Sequence, residues 1–146
     1  MDTLTKRARL LLADDHPGML EQIVRLLKGE FDIAGTVGNG LDLTTAALRL
    51  DPDVVVLDIT MPGQDGIETA RHLQRIGCRA KLVFLTVHED LDYVRAAMDM
   101  GGAAYVTKAR LVSDLVPAIN AALAGQRFLS PTLQLGGNSG SVTTNQ

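Results

Sequence analysis

Short apolar runs alternate with stretches of helical periodicity along most of the chain. The run at 10–13 is typical of a strand buried on both faces, as inside a parallel sheet, and we expect strands at 8–13, 31–37, 53–58, 80–86 and 103–107. After each run, apolar residues recur three or four positions apart and predict an amphipathic helix; the repeats are Leu20/Ile23/Leu27, Leu43/Ala47/Leu50, Ile67/Ala70/Leu73, Val94/Ala97/Met98 and Leu115/Ile119/Leu123. Five such units predict an α/β fold, a single (βα)5 doubly wound parallel sheet with helices on both faces.

The last part of the chain differs in character from the rest. Gly, Ser, Thr and Asn dominate residues 136–146, where Val142 is the only apolar residue. Such a composition is typical of a flexible segment. We therefore expect one domain over residues 8–125, followed by the start of a linker and a flexible tail over 126–146.

Composition narrows the classes of function. The 146 residues include 14 lysines and arginines against 17 aspartates and glutamates, a net charge of −3, which disfavours direct binding of nucleic acid by this chain. A single cysteine, Cys78, excludes an internal disulfide. The apolar run near the amino terminus is too short for a signal peptide or a membrane span. We expect a cytoplasmic protein that does not associate with membranes.

Polar side chains stand where four of the predicted strands end. Asp14 and Asp15 follow the first strand, Asp58 ends the third, Thr86 ends the fourth and Lys108 follows the fifth. In open α/β sheets the carboxyl ends of the strands meet at one edge, where ligands bind. We therefore expect three carboxylates, one hydroxyl and one ammonium group to converge there.

The chemistry of such a group of side chains points to a metal ion and a phosphoryl group. Two carboxylates about 5 Å apart repel by roughly 3 kcal/mol at an effective dielectric constant near 20. Mg²⁺ offsets that repulsion and prefers oxygen ligands. Together with Lys108 it would attract a phosphoryl group, which an aspartate can accept as an acyl phosphate.

Each residue alone has an ordinary interpretation. An acid pair at a strand end is often a solvated turn, and Lys108 alone would be a surface lysine. His16 follows the acid pair but has no set of His or Cys partners in the sequence, so we expect it on the surface of the first helical turn. Cys78 is interpreted as an incidental thiol. Only the combination of positions carries the prediction.

Four segments of the chain resemble, in order and spacing, the receiver domain of bacterial two-component response regulators. They are LLADDHP at 11–17, VVVLDITMPGQDGIE at 54–68, LVFLT at 82–86 and GGAAYVTK at 101–108. The resemblance covers about residues 8–125. It implies a flavodoxin-like sheet with strand order 2-1-3-4-5, an order found in receiver proteins.

The resemblance also implies which residues accept the phosphoryl group and bind the metal ion. It places phosphorylation at Asp58 and Mg²⁺ at Asp14, Asp15 and Asp58. The backbone carbonyl of Thr60 would be a further metal ligand.

Five other residues receive roles from the same resemblance. Thr86 would be the switch hydroxyl, Lys108 the counter-ion of the phosphoryl group, and Tyr105 the aromatic residue whose rotamer follows the switch. Val87 stands where the family usually has a smaller residue, so we expect it to hinder access to the acceptor. His88, two residues after Thr86, should modulate the rate of dephosphorylation.

The implied function is a signalling module that a sensor histidine kinase phosphorylates. Phosphorylation would alter the surface of the fourth and fifth helices and the last strand. The altered surface would allow two phosphorylated chains to form a homodimer. The chain would not be an enzyme beyond slow self-dephosphorylation. LAGQRFLSP at 123–131 is similar to the junction before the helix-turn-helix domain of LuxR-type regulators, which implies control of transcription through a DNA-binding domain absent from this chain.

Two alternatives remain open from the sequence. The chain could be a stand-alone single-domain regulator. It could also be a phosphohydrolase with an aspartyl nucleophile, but those enzymes generally need a second acid two residues after the first. Thr60 occupies that position here.

Overall fold

A computed structural model describes residues 7–59, 61, 66–87, 95–97, 99 and 103–130. The predictions for Thr60 and His88, and for Val94 and Met98 in the fourth helical repeat, lie outside these residues. Residues 131–146 of the predicted tail lie outside them as well.

Six parallel strands form one sheet. They are β1 (Arg9–Ala13), β2 (Asp32–Val37), β3 (Val54–Asp58), β4 (Lys81–Thr86), β5 (Ala104–Thr107) and β6 (Phe128–Leu129). Their order is β2-β1-β3-β4-β5-β6, and every neighbouring pair is parallel. The predicted doubly wound sheet and its order 2-1-3-4-5 are confirmed, and a sixth strand extends the sheet beyond β5.

The sixth strand lies in a segment whose sequence predicts the start of a linker. The amide of Phe128 donates to the carbonyl of Ala103 (3.1 Å), and that of Ser130 donates to the carbonyl of Tyr105 (3.0 Å). These bonds pair backbone groups at the edge of β5 that would otherwise need water. Two residues are too few to show an alternating pattern, which is why the sequence did not predict this strand.

Helices cover both faces of the sheet. They are α1 (Pro17–Leu27), α2 (Gly40–Leu50), α3 (Gly66–Arg75) and a C-terminal helix (Leu111–Leu123), which a short 3₁₀ turn (Lys108–Arg110) precedes. Residues 95–97 and 99 are helical too. The α2 and α3 side chains pack on one face of the sheet, and those of α1 and the C-terminal helix pack on the other. A hydrophobic core lies on each face of the sheet, and alternate residues of each inner strand pack into one core or the other, as Leu11 and Leu10 do in β1.

No helix in the described ranges combines the length and the hydropathy that a crossing of the bilayer requires.

Gly66 packs directly against the end of β3. Its amide donates to the carbonyl of Ile59 (2.6 Å). A Cβ atom at Gly66 would lie 2.6 Å from the Cα of Ile59 and 2.8 Å from the carbonyl oxygen of Asp58. The start of α3 therefore touches the backbone that carries the Asp58 carboxylate.

We expect Gly66→Ala to lower the free energy of unfolding by about 1–3 kcal/mol, the usual cost of forcing an extra methyl group into a packed site. Urea denaturation measures this change. Gly18→Ala in α1 is the matched control, because a Cβ there meets nothing within 4 Å and alanine is the better helix former. Equal stability of the two variants would contradict the steric argument.

Candidate functional site

The carboxylates of Asp14 and Asp58 lie close together at the edge of the sheet where the carboxyl ends of the strands meet. Asp14 follows β1 and Asp58 ends β3, and both are buried. The backbone amide of His16 donates to Oδ1 of Asp14 (2.9 Å). Asp15, the next residue, keeps about a quarter of its side chain exposed. The topology thus brings the three predicted carboxylates to one place.

Lys108 lies between two of these carboxylates. Its Nζ donates to Oδ2 of Asp14 (2.8 Å) and to Oδ2 of Asp58 (3.2 Å). Burial by itself would lower the pKa of Lys108, but the hydrogen bond to Asp14 and the charges of Asp58 and Asp14 outweigh it and raise the pKa above its usual 10.5. Lys108 is therefore an ammonium group at neutral pH, and it supplies one positive charge to a site with three acidic side chains.

The donor atoms around Asp15 fit a metal ion. One atom each from Asp14, Asp15, His16 and Asp58 lies within 4.8 Å of the others. Oδ1 of Asp15 is buried, and within the described part of the chain it accepts no hydrogen bond, although His16 Nδ1 is 3.1 Å away. A buried carboxylate oxygen that accepts no hydrogen bond is costly. The cluster, with its three carboxylates, could bind a metal ion.

His16 is closer to the site than its sequence context indicated. Its side chain is 69% exposed, in line with a surface position at the start of α1. Its Nδ1 nevertheless lies 3.2 Å from Oδ1 of Asp14 and 3.1 Å from Oδ1 of Asp15. The adjacency of His16 to the acid pair was the only sequence signal for this contact.

The other predicted residues occupy the neighbouring strands. Thr86 ends β4 and is buried, in register with Thr107 of β5. Tyr105 is fully buried in β5, with its ring centroid 6.2 Å from that of Phe84. Val87 follows Thr86 and is 62% exposed. The structure therefore places Val87 at the surface next to the end of β4.

A second polar cluster, which the sequence did not predict, centres on Asp114 of the C-terminal helix. This buried carboxylate accepts hydrogen bonds from Arg110 Nε (2.9 Å), Ser113 Oγ (3.0 Å) and Ser130 Oγ (2.7 Å). Burial alone would raise the pKa of Asp114, but the bonds from Arg110, Ser130 and Ser113 outweigh it and bring the pKa below its usual 3.8. Asp114 is therefore a carboxylate at neutral pH.

Comparisons with known proteins agree with the geometry. Residues 10–120 match the family description "Response regulator receiver domain". Response regulator GacA of Pseudomonas aeruginosa is 35% identical over 127 residues, which are 86% of this chain and 59% of GacA. Transcriptional regulatory protein PdtaR of Mycobacterium tuberculosis is 37% identical over 123 residues, 82% of this chain and 58% of PdtaR. The chain thus spans about three fifths of the length of these relatives.

A solved structure gives the same result. The crystal structure of a two-component response regulator of the LuxR family from Aurantimonas sp. SI85-9A1 has a TM-score of 0.85 and 32% sequence identity to this chain. The match covers 89% of this chain and 94% of that one. All the described residues of the strand-end site, from Asp14 to Lys108, lie inside the matched family range.

Proposed function

The chain belongs to the response-regulator receiver family, a regulatory family, and on that premise we propose that a sensor histidine kinase transfers a phosphoryl group to Asp58. One observation carries the proposal. Nζ of Lys108 donates to both Asp14 and Asp58, although 94 and 50 residues separate Lys108 from these two. An ammonium group held on a buried aspartate suits the stabilisation of a phosphoryl group on that aspartate.

The chain's own residues supply the acceptor and a counter-charge. A carboxylate oxygen of Asp58 forms the new bond to phosphorus, while the bond between phosphorus and the imidazole nitrogen of the kinase breaks. The electron pair of the broken bond stays on that nitrogen, which then takes a proton. Lys108 has three N–H donors and offsets charge on the phosphoryl oxygens. The product is an acyl phosphate on Asp58.

Asp14, Asp15 and Asp58 would hold Mg²⁺, and the backbone carbonyl of Thr60 would be a further ligand by the family pattern. When bound, the ion offsets the repulsion among the carboxylates and the incoming phosphoryl oxygens. The fit rests on the carboxylate oxygens gathered within 4.8 Å and on the buried Oδ1 of Asp15, which accepts no hydrogen bond from the described residues.

Thr86 and Tyr105 would report the phosphorylated state to the rest of the protein. Thr86 lies at the end of the strand next to β3, within the edge where the phosphoryl group would be held. A change there would reach the surface formed by β5 and the neighbouring helices, where a homodimer or another domain could bind. PdtaR is a transcriptional regulatory protein by name, so we propose control of transcription as the output, through a DNA-binding domain outside this chain.

Incubation with acetyl phosphate and Mg²⁺ tests the proposal, with intact-mass spectrometry as the measurement. We expect one phosphoryl group per chain, which is lost slowly. A parallel assay with para-nitrophenyl phosphate tests the phosphohydrolase alternative. Rapid turnover of that ester, without a phosphorylated chain, would contradict the proposal.

Val87 should slow phosphorylation by small donors. Its stiff β-branched side chain is exposed one residue after Thr86, at a position where the family pattern usually has a smaller residue. We expect Val87→Ala to raise the rate with acetyl phosphate about twofold to threefold, the change that 0.5 kcal/mol in the barrier produces. Val112→Ala is the matched control, since Val112 is an exposed valine of the C-terminal helix. An unchanged rate for Val87→Ala would exclude the steric effect.

A further inference from the structure

The turn that carries Lys108 is tied at both ends to one carboxylate. At its far end, Arg110 donates to Asp114 through Nε (2.9 Å) and Nη2 (3.3 Å). Before its near end, the backbone amide of Thr107 donates to Ser130 Oγ (3.1 Å), and Ser130 Oγ donates to Asp114 Oδ2 (2.7 Å). Asp114 therefore restrains the chain on both sides of Lys108.

The bond from Ser130 to Asp114 is stronger than most side-chain hydrogen bonds. Ser130 is fully buried and Asp114 is nearly so, so water competes poorly for their polar atoms. Hydrogen bonds to a charged group are roughly twice as strong as those between neutral groups. The Ser130 hydroxyl donates its single proton to Asp114. A lone pair of Ser130 Oγ is then oriented toward the amide of Thr107. Without the Ser130 hydroxyl, Asp114 Oδ2 would lose one hydrogen-bond donor and the amide of Thr107 would lose its acceptor.

Ser130 belongs to the segment through which the chain leaves the domain. It directly follows β6, and its own amide is bonded to the carbonyl of Tyr105 in β5. The docking of residues 128–130 therefore rests on backbone bonds to β5 and on the Ser130 hydroxyl, which lies between Asp114 and Thr107. One residue after Thr107 is Lys108, whose Nζ reaches Asp58.

We propose that Asp114 and Ser130 act as a clasp that positions Lys108 on Asp58 and so couples the phosphoryl site to the docking of residues 128–130. The clasp rests on the proposed function of Asp58. Its two members are positioning residues, because their bonds run to Arg110, Ser113 and Thr107 and they act on the site through Lys108. By linkage the coupling is reciprocal: a phosphoryl group held by Lys108 strengthens the docking of 128–130, and undocking weakens the site by the same factor.

Calorimetric titration of the full chain with beryllofluoride and Mg²⁺ measures the first direction of this coupling. We expect Ser130→Ala to weaken binding about tenfold, the factor that corresponds to 1.4 kcal/mol and to the loss of one hydrogen bond to a charged group. Ser113→Ala is the matched control. Ser113 donates to the same carboxylate (3.0 Å) from an exposed position, but the amide of Thr107 is bonded to Ser130. Replacement of Ser113 should therefore leave the affinity for beryllofluoride unchanged.

Amide hydrogen exchange measures the reverse direction and needs no variant. Addition of beryllofluoride with Mg²⁺ to the wild-type chain should slow exchange at Phe128 and Ser130, whose amides bond to β5 or the residue before it. A merely structural role for Ser130 would leave these rates insensitive to a ligand at Asp58. Ser130→Ala should lose the gain in protection, and Ser113→Ala should keep it.

The outcomes separate the clasp from the proposed function. Equal affinity of wild type and Ser130→Ala for beryllofluoride, or an unchanged exchange rate at 128 and 130 in wild-type chain with bound ligand, would overturn the clasp alone. No binding of beryllofluoride by the wild type would overturn the proposed function and the clasp with it. If Ser130→Ala does not fold, the exchange rates of the wild type decide the question.

Discussion

Replacement of Asp58 with asparagine should abolish phosphorylation of the chain by acetyl phosphate in the presence of Mg²⁺. Asparagine has nearly the same shape and can still accept a hydrogen bond from Lys108, but its amide lacks the carboxylate nucleophile that forms the acyl phosphate. Because Asp58 is buried beside Lys108, the isosteric change keeps the packing at the end of β3. Intact-mass spectrometry should find the unmodified mass alone.

Two further variants make this result specific. Asp15→Asn removes a predicted metal ligand and should slow labelling at low Mg²⁺ without abolishing it, since the acceptor remains. Asp32→Asn changes an exposed aspartate of β2 and should be labelled like the wild type. Full labelling of Asp58→Asn would show that another residue is the acceptor.

Replacement of Lys108 with methionine should lower the free energy of unfolding by about 3 kcal/mol in the absence of divalent cations, the cost of breaking a buried ion pair. Asp14 and Asp58 would then remain buried without the ammonium group that donates to both. Urea denaturation in EDTA measures the change. Lys81→Met is the control, because Lys81 is exposed at the opposite end of β4.

Mg²⁺ should restore part of the stability that Lys108→Met loses. An ion that binds only the folded state stabilises it according to its affinity, and the variant presents the same carboxylates without a competing cation. The stabilisation by Mg²⁺ should therefore be larger in the variant than in the wild type. Equal stabilisation of both proteins would show that Lys108 and the metal ion do not share these carboxylates.

The sequence by itself determined five of the six described strands and the edge of the sheet at which the candidate site lies. Apolar runs such as 54–57 are buried on both faces, and this burial requires the continuous hydrophobic pattern that predicted them. The five predicted strands begin within one residue of the observed ones. Since the carboxyl ends of parallel strands meet at one edge, the residues at or just after those ends, Asp14, Asp58 and Lys108, had to lie near one another.

Only the tertiary structure decided which of these groups bond and what supports them. The contacts of Lys108 with Asp14 and Asp58 span 94 and 50 residues, and their partners depend on side-chain rotamers that no local pattern encodes. Ser130 reaches Asp114 across 16 residues because β6 pairs with the open edge of β5. That pairing is determined by the backbone groups that β5 leaves available, and two residues of sequence carry no periodic signal for it.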